Sequence, residues 1–175
     1  GRETIVKFYL DKLINKYDYV LIDCPPSLGL LTLNALTVAN EIFVPLQTEF
    51  FALQGVSKLL QTFDVIKKRL NSSLEITGII PCMYDSRTKL GTAVLDKIKE
   101  YFEDKVFTTI IRKNIKLSEA PSHGMPIITY APDSNGAQDY MALTKEVIAQ
   151  EKKILKFKGA KAKKQKAEIR EHAFS

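Results

Sequence analysis

Along nearly the whole chain, short apolar runs alternate with stretches of helical spacing, and this alternation constrains the fold more than any other feature. Residues 19–23, 41–46, 74–83 and 106–111 read as strands, the first two almost wholly apolar apart from their ends. Continuous apolar runs of that length, bounded by turn residues, suit strands buried on both faces. Between them lie helical patterns. Ile5, Phe8, Leu13 and Ile14 recur at helical spacing over 3–16, and 28–39 reads as a second helix. Val56, Leu59, Leu60, Phe63, Ile66 and Leu70 line one face of 54–70, with Lys67, Lys68 and Arg69 closing the last turn. Val94, Leu95, Ile98 and Phe102 do the same for 91–102, and 135–150 reads as a closing helix. A polar loop with a helical turn is expected over 112–125, and a brief extended piece over 127–130. Strand alternating with helix predicts an α/β fold, a parallel sheet flanked by helices.

Charge divides the chain near residue 150. Residues 151–175 hold nine Lys/Arg and three acids, a net +6 that equals the formal charge of the whole chain. The other 150 residues carry 17 charges of each sign, so any anion-binding role of the body must rest on local patches. The expected organisation is a domain over 1–150 and a lysine-rich tail over 151–175. Cys24 and Cys82 stand far apart in apolar runs, without metal-ligand spacing, which suits small buried hydrophobes in a reducing, cytoplasmic setting. No run is long enough for a membrane span. The first residues are interrupted by Arg2, Glu3, Lys7, Asp11 and Lys12, unlike a secretory signal.

Asp23 ends the first apolar run, which would place its carboxylate at the carboxyl edge of a parallel sheet, where α/β folds bind ligands. An acid there can hold Mg²⁺ through its water shell, or simply end the strand and cap the next turn. The surrounding residues go further. Tyr17 to Ser27, with Asp-Cys-Pro-Pro-Ser over 23–27, is followed by Leu30 to Leu36, by Val-Pro-Leu-Gln-Thr-Glu over 44–49 and by Phe-Ala-Leu-Gln-Gly over 51–55. Ser-Glu-Ala-Pro-Ser-His-Gly follows over 118–124, then Pro-Ile-Ile over 126–128 and Gly-Ala-Gln-Asp-Tyr over 136–140. In this order the blocks resemble the ParA/Soj family of chromosome- and plasmid-partitioning ATPases, of the deviant Walker P-loop class, across roughly residues 17–148.

The resemblance implies a P-loop NTPase fold of the ParA/MinD type, incomplete at its N-terminus, and a protein that dimerises around ATP and Mg²⁺. It implies binding to DNA without sequence preference, release on hydrolysis stimulated by a ParB-like partner, and a nucleoid-associated cytoplasmic location. It makes Asp23 the Walker B acid, contacting magnesium through water, and Pro25, Pro26 and Gly29 the switch that senses the γ-phosphate. Met83, Tyr84 and Asn114 fall where the family lines its adenine pocket. Arg87, Lys113 and Lys116 fall where it carries basic residues for DNA backbone contact. One position departs: the family usually has proline before the basic-Asn pair, and here Arg112 stands, adding a charge beside the implied adenine site.

A phosphate loop needs a glycine-rich turn and a lysine, G-x-x-x-x-G-K-[ST]. The eight glycines, at 1, 29, 55, 78, 91, 124, 136 and 159, form no such cluster. By resemblance that loop would precede Arg2, so the chain, opening on Gly1, is expected to be a fragment of a longer ATPase with little catalysis of its own. A parallel sheet deprived of a central strand would expose two apolar edges and tend to aggregate. Two other readings stay open. One is a non-catalytic interaction or DNA-binding module; the other, a MinD-like membrane-associated ATPase, would use Ile154, Leu155 and Phe157 among the tail lysines.

Overall fold

In the computed structural model, residues 1–25, 27, 29–49 and 52–152 are described; Pro26 and the lysine-rich tail beyond 152 lie outside them. The elements are α1 (Ile5–Leu10), α2 (Leu30–Val38), β1 (Glu41–Gln47), α3 (Ala52–Arg69), β2 (Glu75–Cys82), α4 (Lys89–Phe102), α5 (Ile115–Glu119) and α6 (Ile127–Tyr130). A closing helix, α7, runs over residues 135–152. Two compact units divide the chain, one made of Gly1–Ile80 with Ser86–Val106, the other of Pro81–Asp85 with Phe107 onward. None of the helices among the described residues is long and apolar enough to cross a membrane.

The first unit is built on β1 and β2, which hydrogen-bond side by side and are joined by α3, the crossover that parallel strands require. Val44 and Leu46 of β1 and Ile76 and Ile79 of β2 are buried with Val56 of α3 and with Val94, Ile98 and Phe102 of α4. Ile42, Leu60, Phe63 and Val106 pack against that cluster. The core therefore comes from the residues whose spacing marked them in the sequence. Helix α4 begins two residues before its expected start because the Thr88 hydroxyl accepts the Gly91 N–H at 3.2 Å, a local N-cap. Buried Asn34 of α2 ties down the first residues: its amide donates to the Arg2 carbonyl at 2.8 Å, and its oxygen accepts the Val6 N–H at 3.2 Å.

Four expected elements take another form. Residues 19–23 are not a strand, and Leu21 is 86% exposed. Apolar composition makes a segment able to join a sheet, but a strand forms only when a neighbouring backbone takes its N–H and C=O groups. Here β1 and β2 pair with each other and the segment joins neither. The expected helix over 3–16 is cut into 3₁₀ turns at Arg2–Thr4 and Ile14–Lys16 around the short α1. Residues 127–130 form a helical turn, not an extended piece. Pro126 sits at the N-cap (φ −69°), and its carbonyl accepts the N–H groups of Thr129 and Tyr130 at 2.9 Å each, which outweighs the β-branched composition.

The expected strand over 106–111 also falls short of a ladder: Val106 makes only an isolated parallel bridge to Ile79 in the first unit, and the rest lies in the second unit. Ile111 N–H donates to the Pro81 carbonyl at 2.9 Å, and Tyr84 pairs with Arg112 in a single parallel bridge. Other donors of this stretch turn to side chains of α7. The Glu146 carboxylate accepts the Thr108 and Thr109 N–H groups at 2.6 and 2.8 Å, and Asp139 accepts the Arg112 N–H at 3.0 Å. Two carboxylates seven residues apart lie on one helix face, so α7 supplies acceptors where a neighbouring strand would supply carbonyls. Partial burial raises the Glu146 carboxyl, but the hydrogen bonds from Thr109 and Thr108 prevail and hold it below the usual carboxylate range. Helix α7 also comes close to α5: a Cβ on buried Gly136 would stand 2.7 Å from Leu117 Cγ, a distance only glycine allows without a shift.

Candidate functional site

In the first unit, residues 17–25 form neither helix nor ladder strand and lead to an exposed Asp23. Cys24 beside it is half-buried, and its thiol is pushed up by burial and by the Asp23 carboxylate. Gly29 then caps α2: its carbonyl accepts the Leu33 N–H at 3.0 Å, and open space surrounds its Cα. The Thr32 hydroxyl donates to the Ser27 carbonyl at 2.6 Å, fastening the loop to the helix it precedes. Asp23, Pro25 and Gly29 thus share one exposed loop leading into the N-terminus of α2, with Pro26 outside the described residues. Exposed Arg87 also belongs to this unit.

The second unit contains Met83, Tyr84, Lys113, Asn114 and Lys116. Met83, 45% exposed, follows β2 in the left-handed region (φ 56°), an uncommon conformation for a residue with a Cβ. Tyr84 N–H donates to the Ile111 carbonyl at 3.2 Å, and Lys113 N–H donates to the Tyr84 carbonyl at 2.9 Å. This pairing aligns Tyr84 with residues 111–113. Asn114 caps α5 by accepting the Lys116 N–H at 2.8 Å, so its side-chain oxygen is committed to the helix start.

Arg112 does not stand as a free charge there. Its Nη2 lies 2.6 Å from Asp139 Oδ1 and its Nε 3.0 and 3.1 Å from the two carboxylate oxygens, while the backbone N–H of the same residue donates to Oδ2. The fork geometry is that of a bidentate pair. The hydrogen bond to Asp139 raises the Arg112 guanidinium further. A proline at 112 could donate no N–H, so the departure from the family pattern is matched by an acceptor on α7.

Lys116 is likewise engaged. Its Nζ lies 2.9 Å from Glu119 Oε2, the same oxygen that accepts the Tyr130 hydroxyl at 2.9 Å. His123 stacks on the Tyr130 ring, centroids 4.8 Å apart. The hydrogen bond from Lys116, then that from Tyr130, holds the Glu119 carboxyl below its ordinary range, while Lys116 and Tyr130 are both pushed up by bonding to Glu119. Sequence reasoning does not single out Asp139, Glu146, Glu119 or Tyr130 as site residues. Only the i, i+7 spacing of the two α7 carboxylates, and the Lys116–Glu119 spacing of three, offer a signal. Among the described residues, no group of His, Cys, Asp and Glu is arranged to hold a metal by itself.

A family model described as an AAA domain matches residues 1–76. The sporulation initiation inhibitor protein Soj of Bacillus subtilis is 51% identical over 149 residues, 85% of this chain and 59% of that protein. The chromosome-partitioning ATPase Soj of Treponema pallidum is 52% identical over 150 residues, 86% of this chain and 59% of that protein. The chain thus spans about six tenths of the length of these relatives. Among solved structures, the cobyrinic acid a,c-diamide synthase of Mycobacterium smegmatis with bound ADP and magnesium superposes with a TM-score of 0.71. It is 35% identical, over 87% of this chain and 55% of that one. The Pyrococcus furiosus cell division ATPase MinD, 24% identical over 84% of this chain and 58% of its own, superposes with a TM-score of 0.66 and shares the fold. With identities of 45–52% over most of its length, the chain is a homologue of the Soj and ParA chromosome-partitioning proteins.

Proposed function

We propose that these residues act within a DNA-partitioning ATPase of the ParA/Soj type, contributing its Walker B acid, the switch that senses the γ-phosphate and DNA-contacting side chains. The observation that carries this reading is the 52% identity to a chromosome-partitioning ATPase over 86% of the chain. The residues fit Mg-ATP in part. Asp23 offers an exposed carboxylate in a loop that leads into a helix N-terminus, suited to accept hydrogen bonds from the water shell of a magnesium ion. Met83, Tyr84 and Asn114 would offer an apolar ledge and an amide for a purine. The 175 residues contain no glycine-rich lysine loop, so they supply no cradle for the β- and γ-phosphates. When bound, the nucleotide supplies the phosphoanhydride bond; Pro25, Pro26 and Gly29 would shape the backbone facing it. A homodimer and a ParB-like partner belong to the same proposal.

Arg87, Lys113 and Lys116 would contact DNA phosphates, giving salt-sensitive affinity without base reading. Fluorescence anisotropy with a duplex of arbitrary sequence tests this. Replacing all three with alanine in the full chain should reduce the slope of log affinity against log salt by about three, roughly one per lost phosphate contact. An unchanged slope would sink the DNA assignment of these residues. A second expectation concerns ATP: the 175-residue polypeptide should release no phosphate from Mg-ATP above background. Steady release that disappears in Asp23→Ala would overturn the view that the phosphate-gripping half is not among these residues.

A further inference from the structure

We propose that the Lys116 ammonium and the Tyr130 hydroxyl form a two-donor site for a DNA phosphate oxygen, and that the Glu119 carboxylate is its internal stand-in. The proposal rests on the reading of Lys116 as a DNA contact and extends it to Tyr130 and Glu119. Both donors converge on one oxygen, Glu119 Oε2, each at 2.9 Å. A phosphate oxygen accepts the same pair of donors, so the site is shaped for an oxyanion whichever molecule provides it. The ring that carries the hydroxyl is steadied by His123 stacked on its face, with interplanar angle 22°, and Lys116 Nζ lies 5.7 Å from its centroid. The Glu119 backbone is held as well, its carbonyl accepting the Ser122 hydroxyl at 2.6 Å.

The stand-in is built to be exchanged. Lys116 and Glu119 are 51% and 37% exposed, where an ion pair contributes little and is screened by salt. Lysine precedes glutamate by three residues, the less favoured order on a helix, and Glu119 ends α5, where the helix dipole opposes a negative charge. A polyanion brought near by Lys113 and Lys116 meets two donors already aimed at one point and must displace only a loosely held carboxylate. Glu119 therefore sets the affinity of the surface: it keeps Lys116 occupied when DNA is absent and competes with phosphate when DNA is present.

The test is a double-mutant cycle on the full chain, reading affinity for a fluorescent duplex at an ionic strength of about 0.1 M, where surface charges more than ~10 Å apart are largely screened. Glu119→Gln is isosteric and should tighten binding by roughly two- to fivefold, the scale of an exposed ion pair released. In a Lys116→Met background the same substitution should change affinity by less than about twofold, because the competition it removes is gone. Equal gains in both backgrounds would show that Glu119 only repels DNA through its charge, and would overturn the stand-in; so would no gain with Lys116 present. If Lys116→Met alone leaves affinity and salt slope unchanged, the DNA reading of Lys116 fails and the proposal fails with it. Weakened binding by Lys116→Met without a gain from Glu119→Gln sinks this proposal alone.

Discussion

Asp139→Ala is expected to destabilise the protein by roughly 2–4 kcal/mol, a large loss for a single polar side chain. The side chain is 10% exposed and answers both the backbone N–H and the guanidinium of Arg112. Removing it leaves a part-buried amide without an acceptor, at a cost of about 1–3 kcal/mol, and a guanidinium without its partner. Breaking a fully buried pair costs about 3–5 kcal/mol, but the Arg112 side chain is 43% exposed, and water takes up part of its loss. Asp139→Asn keeps an acceptor of the same shape and should cost about half as much. Urea unfolding measures both. Hydrogen exchange should also quicken at Arg112 and Lys113 in Asp139→Ala, because the bridge to Tyr84 depends on that anchoring. A loss under about 1 kcal/mol with unchanged exchange would mean that the pair is an ordinary surface ion pair.

Ile98→Ala should cost still more where it counts, in the core of the first unit. Ile98 has no exposed surface and sits in one cluster with Val44, Ile76, Ile79, Val94 and Phe102. Its neighbours are fixed to β1, β2 and α4, so the space vacated cannot collapse fully. Such truncations cost about 2–5 kcal/mol, the transfer term plus the cavity, whereas Ile98→Val should cost only about 0.5–1.5 kcal/mol. The ratio between the two is the informative quantity. If valine destabilises as much as alanine, the shape of the side chain, not the volume it fills, governs the site.

These two residues differ in how far the sequence reveals them. Ile98 is legible: it lies at helical spacing with Val94, Leu95 and Phe102, and burial of that face follows from periodicity alone. Asp139 is visible only as a member of a family-like block. Its task depends on Arg112, twenty-seven residues earlier, and no local rule connects them. The same contrast holds for the sheet. The runs over 41–46 and 74–83 became β1 and β2 nearly as expected, whereas the equally apolar run over 19–23 did not. Composition reports that a segment can be buried between neighbours; it does not report whether a neighbour stands beside it.

The site divides along the same line. Tyr84 pairs with the stretch 111–113 through hydrogen bonds and through its bridge to Arg112, two residues from Asn114. That Met83, Tyr84 and Asn114 together hold a purine belongs to the proposed function. Lys116 is visible in the sequence as a basic residue, but its engagement with Glu119 and Tyr130 is not. The Tyr130 hydroxyl arrives from α6, a helical turn that β-branched composition marks as extended.

Local sequence, then, carries the likeness to Soj and ParA proteins, the α/β class, the apolar faces of α3 and α4, and the concentration of net charge beyond residue 150. Those properties are sums over neighbours in the chain: periodicity, composition and the order of motifs. Tertiary structure decided which apolar run became a strand, which acid answered Arg112, and which oxygen Lys116 and Tyr130 share. Each of these is a pairing that no local pattern specifies, and a hydrogen bond of about 2.9 Å exists only once folding has brought donor and acceptor together.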